Sequence, residues 1–122
     1  MRVRSEIRVE SSRQPQREIT KGTIALYKEY TGRGPTFGRT FVNDDSVTVV
    51  LGDSLLPAEK VLVADDRSDT VRQIRHDFQL AMREPLKELV EASLDRKVLC
   101  MLSDHSPEPD YAVEVFVLEP DA

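Results

Sequence analysis

The chain has 122 residues and a mass of 13.8 kDa, the size of one domain. Hydrophobic residues make up 39% and charged residues 32%, a composition with a thin core and no apolar run long enough to span a membrane. The net charge of −5 is uneven: residues 1–42 carry nine basic and four acidic side chains, and residues 43–122 carry eight basic and eighteen acidic, an acidic body that argues against broad nucleic-acid binding.

Residues 2–10 alternate strictly. Arg2, Arg4, Glu6, Arg8 and Glu10 fall on one side, and Val3, Ser5, Ile7 and Val9 on the other. This period of two predicts a strand that must add to a sheet edge or pair with a second chain, because it has too little apolar surface to stand alone. From about Pro15 to Tyr30 the period becomes helical, with Ile19, Thr23, Leu26 and Tyr30 on one face. Gly32 stands where a helix C-cap belongs, and Pro35 prevents continuation. Thr36–Val42 and Ser46–Leu51 alternate as strands around the turn residues Asn43-Asp44-Asp45, so they form a hairpin.

Pro57 opens a short helix to about Val63, with Glu59 in its first turn. Ser68 is the expected N-cap of a long helix with Val71, Ile74, Phe78, Met82, Leu86, Leu89 and Val90 on its apolar stripe. Pro85 lies inside that pattern and should kink or split the helix near Arg83–Glu84. Val98–Ser103 is a nearly continuous apolar run, which predicts a central strand buried on both faces. Ser106–Asp110, with two prolines, reads as a loop. Tyr111–Leu118 is the strongest strand signal, with Tyr111, Val113, Val115 and Val117 on one face and Ala112, Glu114, Phe116 and Leu118 on the other. The expected fold is α+β, of order (β)αββααββ, with four main strands in a mostly antiparallel sheet and helices packed on one face. Residues 1–18 form an N-terminal arm, 19–118 the domain and 119–122 a tail. The uncovered strand face and the arm both invite a homodimer.

The single Cys excludes an intramolecular disulfide and an all-Cys metal cage. The chain start lacks the apolar core of a secretory signal, so a reducing cytoplasm is the expected compartment. Gly32-Arg33-Gly34-Pro35, with Arg39 on the next strand, is one candidate anion- or partner-binding site. The glycines free the backbone to approach a ligand, and two guanidiniums can grip an oxyanion. The ordinary alternative is a helix stop that turns into a strand. Asp104 and His105, with Asp110 nearby, form a candidate polar loop site. Its ligand types suit a divalent ion, but its spacing is that of a loop, so no metal ligand set and no cofactor are assigned. Cys100 lies mid-strand, where a thiol is expected to be an inert core residue. Ser103 beside Asp104-His105 is not a triad, whose geometry is spatial, and no catalytic residue is assigned. Glu114 is expected either to face solvent or to pair with a base such as Arg39 across the sheet, the pair being favoured. Tyr111, Val113 and Val115 are the candidate interface.

Several segments together carry a resemblance: Tyr30-Thr31-Gly32-Arg33-Gly34-Pro35, Leu56-Pro57-Ala58-Glu59, the helix with Arg75, Phe78, Met82 and Arg83, and Leu102-Ser103-Asp104-His105 leading to Asp110–Leu118. Over about Ile19 to Leu118 the chain resembles the MpsC-like family, named from a sodium-translocating, membrane-potential-generating system. The resemblance implies a small accessory or regulatory protein of a membrane system for ion and inorganic-carbon (bicarbonate) uptake. It would have transporter subunits as partners and would sit at the inner membrane face through them, without inserting. It supplies no catalytic residue. Leu56 departs from a Thr frequent in the family, and Pro85 interrupts the long helix. A small-anion sensor at Arg33, Gly34 and Arg39, and a metal-dependent enzyme at Asp104-His105, are the alternative readings.

Overall fold

The computed structural model describes residues 8–9 and 14–120. In chain order the elements are β1 (Arg8–Val9), α1 (Gln14–Thr31), β2 (Phe37–Asn43), β3 (Ser46–Gly52), α2 (Pro57–Ala64), α3 (Ser68–Ala81), α4 (Arg83–Leu94), β4 (Val98–Pro107) and β5 (Asp110–Leu118). They build one sheet of order β1-β2-β3-β5-β4. The pairs β2–β3, β3–β5 and β5–β4 are antiparallel, and the short β1 adds in parallel beside Phe37 and Gly38 of β2. The class is α+β, as the sequence pattern predicts. Arg8–Val9 thus pairs within its own chain, and the rest of the expected first strand lies outside the described residues.

The local chemistry explains the breaks. Gly32 takes φ 91° after α1, and its N–H returns to Lys28 O at 2.9 Å, the left-handed stop expected of glycine. Asp44 supplies the positive φ of the β2–β3 turn, and Asp95 caps the end of α4 at φ 54°, a conformation Asp tolerates better than most side chains. The long helical stripe is split at Met82, which caps α3 and precedes α4. Pro85 then falls in the first turn of α4, where its missing N–H costs little. At α3, Arg67 occupies the N-cap position and Ser68 is the first helical residue.

One sheet face is buried under the helices. Ile19, Ile24 and Tyr27 of α1, and Leu86 and Val90 of α4, with Met82 at the junction, meet Val47, Val49, Leu51, Phe116 and Leu118 of the sheet. The α1 stripe is rotated from the expected one. Tyr27 and Ile24 are buried while Tyr30 is exposed, because the Tyr27 hydroxyl has a buried partner on the sheet. Val98–Ser103 is not central. It belongs to β4, an edge strand, and Leu99, Cys100 and Leu102 are exposed. The run is apolar on both sides because its inner side meets the core and its outer side joins an open apolar face. The strand also continues through Ser106 and Pro107, leaving Glu108-Pro109 as the turn into β5.

Candidate functional site

The buried stripe of α3 is Val71, Arg75 and Gln79. Spacing of four puts these residues over the inner sheet face, so two polar side chains enter the core and each requires partners. Arg75 Nε donates to Glu59 Oε2 at 2.9 Å, and its Nη2 donates to Glu59 Oε1 and to Ser54 O, the latter at 2.8 Å. Glu59 also accepts the Leu56 N–H at 2.7 Å, closing the first turn of α2. The ion pair thus joins α2, α3 and the chain after β3.

Beside it, Asp110 accepts the backbone N–H groups of Ser54 and Leu55, each at 2.9 Å. His105 Nε2 lies 3.2 Å from Asp110 Oδ1 and 3.5 Å from Ser54 Oγ. A nucleophilic triad needs the acid and the hydroxyl on opposite ring nitrogens. Here both meet Nε2, and Ser54 is buried, so the cluster locks the β3–α2 connection to the β4–β5 hairpin. Burial pushes the Asp110 carboxyl up, but the His105 contact and the two backbone N–H groups outweigh it and hold the group below the usual range.

The second buried cluster centres on Glu114. Its parity with Ala112, Phe116 and Leu118 puts it on the inner face, away from Arg39, so the expected cross-sheet pair does not form. Tyr27 Oη donates to Glu114 Oε2 at 2.5 Å, Gln79 Nε2 donates to the same oxygen at 3.2 Å, and Ser103 Oγ donates to Oε1. Burial raises the Glu114 carboxyl from 4.5 to about 7, against the opposing effect of these three hydrogen bonds. Burial, followed by the Glu114 charge, also raises the Tyr27 hydroxyl well above its ordinary value. The sequence signal for this cluster was an acid inside a buried strand parity. Its partners come from α1, α3 and β4, too far apart in sequence to be paired by inspection.

The candidate anion set does not converge. Arg33 Nη1 donates to Asp53 O at 2.6 Å and Leu55 O at 3.3 Å, and its Nη2 meets Asp53 Oδ2 at 3.0 Å. The hydrogen bond from the Thr36 hydroxyl is the largest single cause that holds the Asp53 carboxyl below its ordinary value, and Arg33 adds to it against the opposing effect of burial. Gly32, Gly34 and Pro35 shape the turn that carries Arg33 to this loop. Arg39 instead lies over the Phe41 ring, 4.6 Å from its centroid, on the outer sheet face. The candidate polar loop site divides too: Asp104 is on the outer face, while His105 and Asp110 belong to the buried lock. Among the described residues no group of three or more His, Cys, Asp or Glu is placed to hold a metal ion.

Tyr111, Val113 and Val115 do share one surface. The strand registers align the outer face in rows. Arg39, Val50, Val113 and Asp104 form one row, and Phe41, Thr48, Val115 and Leu102 the next. Leu102 is 61% exposed, Tyr111 50% and Phe41 37%. At the rim of β4, Arg83 Nη2 donates to Met101 O at 3.0 Å and Asp104 Oδ1 accepts the His105 N–H at 2.8 Å. These side chains occupy backbone groups that an added strand would need.

A family model described as the Na+-translocating membrane potential-generating system (MpsC) matches residues 11–120. The chain belongs to the MpsC family. No curated protein and no solved structure matches it. The MpsC match covers both buried clusters and the whole open sheet face. Among the described residues no helix of this MpsC chain is long and apolar enough to cross a membrane.

Proposed function

We propose that this chain is a non-catalytic accessory or regulatory protein of a membrane system for ion and inorganic-carbon uptake, acting by protein–protein contact through the open face of its sheet. The observation that carries the reading is that face, where Phe41, Leu102, Tyr111 and the valines of β5 line one side of a four-strand surface. Exposed contiguous apolar surface of this kind marks an interaction site. The family description, of a Na+-translocating membrane potential-generating system, supports the membrane setting. The buried His105–Asp110–Ser54 and Glu114 clusters are closed into the core and bind the elements to one another. In this reading the protein is cytoplasmic and reaches the inner membrane face through a partner.

Capture of the tagged protein from gently solubilised native membranes tests it. Integral-membrane transporter subunits are expected to accompany the wild-type chain and Glu88→Gln, and to be lost with Tyr111→Ala. Recovery of the wild-type chain without membrane subunits overturns the reading.

A further inference from the structure

We propose that the open sheet face binds a second copy of this chain, through a two-fold axis parallel to the strands between β3 and β5, so that Arg39 of each protomer meets the partner's Asp104. The inference rests on the open face being a docking surface: a second copy occupies it, and the resulting dimer is the unit that the membrane subunits meet, so Tyr111→Ala loses them by breaking the dimer.

The argument is the order of side chains along a row. Arg39 stands at the β2 end, Asp104 at the β4 end, and Val50 and Val113 lie between them. Turning a second sheet onto this one about an axis along the strands reverses the row from end to end. The basic end then faces the acidic end at both margins, and valine faces valine in the middle. In the next row the same operation sets Phe41 against the partner's Leu102. A two-fold contact is self-complementary in this way, each pair occurring twice. An axis across the strands instead sets β2 on the partner's β2 and β4 on its β4, so that Arg39 does not meet the partner's Asp104. Adding a strand at the edge is disfavoured, because Arg83 and Asp104 occupy the β4 rim.

The dimensions fit sheet-on-sheet packing. Four strands of about seven residues cover a plan area of roughly 450 Å² by standard strand spacings. Side-chain relief enlarges this toward the ~800 Å² per partner of an ordinary specific interface. Sheets packed face to face sit about 30° from alignment, an offset the long Arg39 side chain can span. Within its own chain Arg39 stacks on Phe41, which holds the guanidinium on this face. Arg72 borders the cleft that contains Asp104, but its guanidinium meets Asp69 at 3.1 Å.

The test is sedimentation of the full chain over a concentration series, with charge-reversed variants. The wild type is expected to dimerise. Arg39→Asp and Asp104→Arg should each weaken the dimer by about 10-fold or more, because each reversal sets like charges together twice. The double variant Arg39→Asp/Asp104→Arg should restore it, which damage to the fold would not do. Asp104→Asn, which keeps an acceptor for the His105 N–H, should weaken the dimer while leaving the circular dichroism unchanged. A monomer at every concentration, or a dimer indifferent to the single reversals, overturns the inference. A dimer of this kind in a protein that captures no membrane subunits would leave the inference standing and remove the accessory reading. A monomer that still captures those subunits would do the reverse.

Discussion

Replacing Glu114 with Gln should remove a pH dependence that this carboxylate imposes on the whole domain. In the folded chain the Glu114 carboxyl titrates at about 7, against 4.5 for the free group. Between those values the folded protein holds a proton that the unfolded chain has released. Stability from this group is therefore complete below about pH 4.5, falls as the pH rises, and is lost above about pH 7. The displacement corresponds to about 3 kcal/mol, a large share of the 5–15 kcal/mol typical of a domain. Gln matches the protonated acid in shape. Its carbonyl can accept from Tyr27 and its amide can donate to the Ser103 oxygen. Urea unfolding of both proteins from about pH 5 to pH 8 isolates the effect, since other titrating groups cancel in the difference. The advantage of Glu114→Gln over the wild type should grow by about 2–3 kcal/mol between pH 5 and pH 8. Parallel stability curves for the two proteins would refute the reasoning.

Arg75→Met leaves the buried Glu59 charge uncompensated and should cost about 3–5 kcal/mol. Adding Glu59→Gln, which removes the charge but keeps an acceptor for the Leu56 N–H, should recover part of that loss, so a double variant no more stable than Arg75→Met in urea would count against the pairing. Gly38→Ala places a Cβ 2.8 Å from Thr20 Cγ2 and 2.9 Å from Ile24 Cδ1. Both are fixed neighbours: Thr20 Oγ1 lies 2.6 Å from Thr40 Oγ1, and Ile24 is buried. Such overpacking should cost about 1–3 kcal/mol, read as a lower urea midpoint, and an unchanged midpoint would show that α1 lies farther from β2.

The parts of the fold legible in sequence were those set by local chemistry. The hairpin around Asn43–Asp45, the stop at Gly32, the Pro57 helix start and the split upstream of Pro85 all depend on residues within a few positions of each other. The outer-face grouping of Tyr111, Val113 and Val115 was equally legible, because strand parity alone determines it. The position of β4 was not. An apolar run is compatible with burial on both sides or with an edge strand whose outer side joins an open face, and only pairing decides between them. The phase of the α1 stripe failed for a related reason. Tyr30 and Tyr27 have the same hydrophobic weight, but only Tyr27 reaches an acceptor, and that acceptor lies 87 positions away. Glu114 was recognisable as an anomaly without its partners being recognisable, since hydrogen-bond donors for one carboxylate were spread over three elements.

Glu59 serves a local and a distant task with one carboxylate. It closes the first turn of α2 on the Leu56 N–H and neutralises Arg75 on α3. An eight-residue helix is too short to persist in water by its own propensity. With α3 absent, the only buried α2 side chain, Glu59, has no counter-charge to draw it inward, and the segment has little reason to be ordered. The order of α2 therefore depends on its docking to α3, and the two helices are expected to form and to be lost together, which native-state hydrogen exchange would read as a shared opening of both.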